Sequence, residues 1–214
     1  KNRLWIEVDG MHASAVFDQE SPEQLWIGTE TGGQILVKNI IPKHMDCITA
    51  KLQEMGVQVE EQDDTLLVRR SGKLHRANVK TLPYPGFPTD MQPQITVCLA
   101  TAVGTSLVTE GVYDNRFRYT AELGRMGANI QVEGKTAIID GVQTLHGCEV
   151  RACDLRAGAA MVIAAMCAEG MTLIEDAHFI ERGYEDIVGK LTALGAHIRR
   201  IETYETPSVS EDAG

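Results

Sequence analysis

Apolar and polar positions along this chain alternate between two periods. Short runs with strand character, such as TSLVTE, MTLIED and QILVKN, are each followed by a segment with helical spacing and then by more strands. Reading from Asp90, an apolar helical run leads to Gly104. The strand TSLVTE, the helix TAELGRM ending at Gly127, and the strands ANIQVEG and KTAIIDG follow. From Asp154 a helix leads to Gly170, then come MTLIED, the helix YEDIVGKLTAL ending at Gly195, and AHIRRIE. From Asp18 a weaker run leads to Gly33, then QILVKN, the helix PKHMDCITAKLQEM ending at Gly56, VQVEE and DTLLVRR.

The intervals agree. Asp to first Gly is 15, 14 and 16 residues, and first to second Gly is 23, 23 and 25. Each Gly stands where a helix needs a left-handed residue before turning into a strand. Generic α/β alternation would give ragged spacing, so the pattern predicts one unit of strand-helix-strand-helix-strand-strand written three times. The repeats span about 3–72, 73–142 and 143–202, together one lobe over residues 1–202, with a polar tail at 203–214.

The first helix of a unit is unusual. PQITVCLATAV and LRAGAAMVIAAMCAE have almost no polar face, which predicts burial on all sides. The second helices, ITAKLQEMG and IVGKLTALG, are amphipathic and belong nearer the surface. An inside-out α/β barrel results, with helices inside, sheets outside, and the inner helix N-termini sharing one end.

Composition narrows the function. The net charge of −10, with no run of Lys and Arg longer than two, argues against nucleic acid and anionic membranes. Five cysteines without a CxxC pair argue against a disulfide framework and structural zinc, and suit a reducing cytoplasm. No stretch reaches membrane-span length, and KNRLWIEVDG reads as a strand rather than a signal peptide. An anionic small molecule remains open if arginines converge.

Asp90 and Asp154 mark helix starts, where a carboxylate complements the partial positive charge. Thr89 and Gln92 match a capping box with Thr89 as cap. The plain alternative for either Asp is a cap and nothing more. Arg116 lies twelve residues after Gly104 and Arg182 twelve after Gly170, both just beyond a strand. Arg156 sits in the first turn of its helix, where a cation opposes the dipole, so another use is expected. Three arginines and several helix N-termini at one pole would bind an anion; surface salt bridging is the alternative.

PGFPTDMQ (85–92), TEGVYDNRF (109–117), ELGRMGA (122–128), CDLRAGAA (153–160) and ERGYEDI (181–187) resemble the enolpyruvyl transferases, and among them those acting on UDP-N-acetylglucosamine. The resemblance implies two lobes of this inside-out barrel type. It implies transfer of the enolpyruvyl group of phosphoenolpyruvate to the sugar 3-hydroxyl with release of phosphate, in the bacterial cytoplasm and without a cofactor or metal. It carries catalytic roles to Asp90, as base on the sugar hydroxyl, and to Asp154 and Arg182. It carries substrate-binding roles to Asp90, Val112, Arg116, Leu155, Arg156 and Arg182, with Val112 lining the uridine site and Arg116 and Arg182 facing phosphoenolpyruvate.

The family's catalytic Cys belongs to the other lobe. None of the five cysteines matches it, and Cys98 and Cys167 read as packing residues of buried helices. The first unit departs from the family: Gln19 stands where an Arg is usual, and Pro22 interrupts the run. A half enzyme inactive without its partner lobe is therefore expected. The rival readings are a non-catalytic UDP-sugar-binding module and a purely structural repeat domain.

Overall fold

The computed structural model describes residues 3–10, 26–29, 32–70, 72–193 and 195–203. Among the described residues, one five-stranded and two four-stranded sheets surround a helical interior. The second sheet is the clearest. It contains β6 (Val79–Lys80), β7 (Thr105–Thr109), β8 (Asn129–Glu133) and β9 (Thr136–Asp140) in the order β6-β7-β9-β8. β6 runs parallel to β7, and the other pairs are antiparallel. A parallel neighbour demands a crossover, and α2 (Gln92–Ala100) supplies it. The helix α3 (Thr120–Arg125) covers the return to β8.

The third sheet repeats this plan. Short strands β10 (Leu145–His146) and β11 (Glu149–Arg151) run parallel to β12 (Ala168–Glu175), and α4 (Leu155–Cys167) is the crossover. Helices α5 (His178–Glu181) and α6 (Ile187–Ala193) lead to β13 (His197–Thr203). The position between β12 and β13 is filled by β1 (Arg3–Gly10), antiparallel to both, with Ile6 opposite Ile174 on one side and Arg200 on the other. The strand that heads the 3–72 segment thus completes the sheet of the 143–202 segment.

The first sheet differs from its sisters. Its order is β2-β3-β5-β4, from β2 (Trp26–Thr29), β3 (Gly32–Val37), β4 (Gln58–Gln62) and β5 (Thr65–Arg70), and every pair is antiparallel. The helical run expected to end at Gly33 is instead a hairpin at this end, with Gly33 opposite Gly28. Trp26 and Ile27 favour strands, while Gly28, Gly32 and Gly33 disfavour helix and suit a reversal. Asp18, Gln19 and Pro22 lie outside the described residues, as does the tail beyond 203. The surface helix of this unit, α1 (Asp46–Glu54), follows a short 3₁₀ turn at Pro42–His44.

Glycines at the helix-to-strand junctions adopt the left-handed conformation the spacing predicts. Gly56, Gly104, Gly127 and Gly195 have φ of 91, 101, 94 and 89°, where a side chain would be strained. The interior is built by α2 and α4, which pack on each other. Leu99, Ala100, Met161, Ala164 and Ala165 are wholly buried. On α4, Gly158 lets α5 press close: a Cβ there would stand 2.5 Å from Ile180 Cγ1. Met55, Leu123 and Leu191 seal the outer helices onto this core.

All five cysteines are free. Cys98 lies on α2, and burial pushes its thiol up to about 11. Cys167 ends α4 and is exposed, contrary to the packing role expected, because the helix stops there and β12 starts at once.

Candidate active site

The N-terminal ends of α2 and α4 and the turn after β7 meet at one pole. Asp90 sits in a single 3₁₀ turn, Thr89–Met91, just ahead of α2. That extra turn has a consequence: no side chain caps α2, so the expected Thr89–Gln92 capping box does not form. Thr89 turns its hydroxyl to Glu110 Oε2 (3.0 Å). Gln92 Oε1 instead accepts from the Tyr119 hydroxyl at 2.9 Å. Freed from capping, the Asp90 carboxylate is half exposed and held by two guanidinium groups. Arg116 Nη2 donates to Oδ1 at 3.0 Å, and Arg156 Nη2 donates to Oδ2 at 2.7 Å.

Asp154 behaves as the sequence predicts. Its Oδ1 accepts from the Ala157 amide at 2.8 Å, capping α4. Its other oxygen faces Arg116 Nη1 at 4.0 Å. Arg116 is therefore the hub: its side chain is only 7% exposed, Nε donates to Thr89 Oγ1 at 3.3 Å, and its guanidinium lies 4.4 Å from the centre of the Tyr113 ring. It is placed by a short 3₁₀ helix, Arg116–Tyr119, entered through the left-handed Asn115. Arg156 is more open, and its hydrogen bond to Asp90 raises its already high proton affinity, with the charges of Asp90 and Asp154 adding to the effect.

Beneath this cluster lies a buried polar layer that sequence reading missed. Glu110, at 3% exposure, accepts from Thr81 (2.6 Å), Thr89 (3.0 Å) and the amides of Val112 (2.8 Å) and Tyr113 (2.9 Å). Tyr119 is 1% exposed, bonded to Gln92 and Thr96, and burial pushes its phenol well up. The one available signal was an acid closing an apolar strand in LVTE, which by itself is unremarkable.

Of the residues singled out from sequence, Asp90, Arg116, Asp154 and Arg156 come together from two units of the repeat. Val112 lies on the adjoining loop, largely exposed, with its amide on Glu110. Leu155 opens α4 and abuts Gly183, whose added Cβ would stand 2.6 Å from Leu155 Cδ2. Arg182 stands apart. It lines a neighbouring cavity of about 660 Å³ with Glu181, Asp186 and Arg200, and among the described residues it makes no ion pair with Asp90 or Asp154. Among the described residues no group of three or more His, Cys, Asp or Glu side chains could hold a metal, and no helix is long and apolar enough to cross a membrane.

A mostly buried arginine beside two carboxylates, one capping a helix and the other shared with a second arginine, can hold an anion and orient a carboxylate against it. A family model described as EPSP synthase (3-phosphoshikimate 1-carboxyvinyltransferase) matches residues 25–191. The chain belongs to this carboxyvinyltransferase family. Among relatives within or near it, UDP-N-acetylglucosamine 1-carboxyvinyltransferase 3 of Caldanaerobacter subterraneus is 53% identical over 196 residues, covering 91% of this chain and 47% of that protein. A UDP-N-acetylglucosamine 1-carboxyvinyltransferase of Desulfofundulus thermocisternus is 46% identical, with 90% and 82% covered. The chain spans about half the length of the first of these relatives. Among solved structures, the enolpyruvyl transferase NikO from Streptomyces tendae matches with a TM-score of 0.69 at 30% identity, over 75% of this carboxyvinyltransferase-family chain and 37% of NikO. EPSP synthase from Acinetobacter baumannii, 18% identical with a TM-score of 0.60, shares the fold.

Proposed function

We propose that this chain forms one lobe of a UDP-N-acetylglucosamine 1-carboxyvinyltransferase. That enzyme moves the enolpyruvyl group of phosphoenolpyruvate onto the sugar 3-hydroxyl and releases phosphate, opening peptidoglycan synthesis in the bacterial cytoplasm. The observation that carries this reading is the convergence of Asp90, Arg116 and Arg156 at one pole, in a chain about half identical to proteins of that name.

The sugar hydroxyl is a weak nucleophile until a positioned base takes its proton, and Asp90 is the exposed carboxylate available for that task. The hydroxyl oxygen bonds to C2 of phosphoenolpyruvate while C3 gains a proton, giving a tetrahedral ketal. Loss of a proton from C3 then expels phosphate from C2 and restores the double bond. Arg116 and Arg156 are the groups that meet the phosphate and carboxylate charges, and Asp154 fixes Arg116 and the end of α4. Arg182, in the neighbouring cavity, is the third cation that this reading assigns to substrate. Val112 and Leu155 supply apolar walls. The proton donor to C3 comes from the partner lobe, as the resemblance implies: none of the five cysteines matches the family's catalytic Cys.

The test is reconstitution. Alone, the chain should release negligible phosphate from the two substrates. Mixed with or fused to the other lobe of the Caldanaerobacter relative, it should turn over. A folded pair without turnover sinks the reading. One observation favours the rival, a non-catalytic UDP-sugar-binding module: the antiparallel hairpin at Trp26–Val37 in place of a parallel strand beside β3. Titration calorimetry separates them, since a sensor binds the nucleotide sugar tightly without a second lobe.

A further inference from the structure

Glu110 closes β7 at 3% exposure and is saturated by neutral donors. Three reach Oε1: the Thr81 hydroxyl at 2.6 Å and the amides of Val112 and Tyr113 at 2.8 and 2.9 Å. The fourth, the Thr89 hydroxyl, reaches Oε2 at 3.0 Å. They come from three stretches: the end of β6, the loop leaving β7, and the turn entering α2. Burial opposes the charged form, but the bonds from Thr81, Tyr113, Val112 and Thr89 outweigh it and hold the carboxyl below its usual value.

A carboxylate can only accept, so the Thr89 proton must point at Glu110. The remaining lone pairs of that hydroxyl then face outward, and Arg116 Nε donates to them at 3.3 Å. The same guanidinium reaches Asp90, the next residue in the chain, through Nη2. Glu110 thus sets the polarity of a relay that runs Glu110, Thr89, Arg116, Asp90.

We propose that Glu110 is a positioning residue: its carboxylate orients the Thr89 hydroxyl, which holds Arg116 in the register that presents Asp90. The relay is a property of this chain alone; only the turnover measurement below rests on the functional reading above.

The decisive measurement is proton exchange at Arg116 Nε, followed by NMR on the chain labelled with ¹⁵N-arginine. Glu110→Gln should accelerate that exchange by about tenfold or more, the scale of one lost hydrogen bond to a charged group. Thr89→Val should do the same with Glu110 intact, and Thr89→Ser, which keeps the hydroxyl, should restore the wild-type rate. A folded Glu110→Gln protein with unchanged exchange overturns the proposal. If that variant does not fold, Thr89→Val decides in its place. In the reconstituted two-lobed protein, Glu110→Gln should lower kcat by about tenfold with KM for the nucleotide sugar within about twofold; a raised KM with kcat intact counts against it. Should the unsubstituted pair show no turnover, the functional reading falls while the exchange experiment still judges the relay.

Discussion

The second and third units carry the same residues at matching offsets and use them differently. Asp90 and Asp154 each precede an inner helix, yet Asp154 caps α4 while Asp90 leaves the backbone and holds two arginines. Arg116 is buried at the hub, whereas Arg182 lies twelve residues past the equivalent glycine in a separate cavity. Glu110 and Asp176 are each six residues past those glycines. Glu110 turns inward to four neutral donors, and Asp176 pairs with Arg151 at 3.4 Å. Repetition fixes where a side chain leaves the backbone; what it meets depends on one turn of helix. The 3₁₀ turn before α2 shifts Asp90 off the capping position, and α4 has no such turn.

The contrast is easiest to break at the two aspartates. In the reconstituted enzyme, Asp90→Asn should cut kcat by roughly 10²–10⁴-fold, the worth of a general base, with stability almost untouched. Equal losses from Asp154→Asn would erase the distinction. Next in size is the shared interior: Leu99→Ala on α2 should cost about 2–5 kcal/mol in urea unfolding, because the side chain is fully buried. A cost below that of a surface change would mean that α2 is not a core helix.

Asp154→Ala should lower stability by about 0.5–2 kcal/mol through the lost cap. Asp90→Ala should not show that loss, and thermal melts of the two side by side test it. Acid sharpens the comparison further. Glu110 has a lowered pKa, so the unfolded chain binds more protons than the folded one. Its stabilisation is complete above the unfolded glutamate value of about 4.3 and drains away as pH falls through the folded value. The urea midpoint should therefore drop less steeply below about pH 4.3 in Glu110→Gln than in the parent. The smallest effect belongs to Arg182→Ala, expected within about 0.5 kcal/mol of the parent in stability; a larger loss would mean that it is already engaged in the unliganded lobe.

The alternation of strands and helices was legible because its markers are local. A glycine with positive φ, a helix without a polar face and an amphipathic outer helix each declare themselves within a few residues. The four-residue α5 offered no period to read in DAHFIERG. The hairpin at Trp26–Val37 was hidden by the expectation of symmetry, although its glycines and β-formers argued otherwise. The failed capping box is instructive in another way. Thr89 satisfies every local rule for a cap, but Glu110, 21 residues away, competes for its hydroxyl and wins. Convergence of Asp90, Arg116 and Arg156 could be inferred from the repeat; the relay beneath them could not, because it is made of contacts between units of sequence that no periodicity links.

The antiparallel pairing of β1 with β13 sets Arg3 opposite Thr203, so the first and last described strands lie about 5 Å apart, one strand spacing. The earliest described strand is thus the sheet neighbour of the last, and this sheet is complete only when residues 3–10 and 197–203 are both in place.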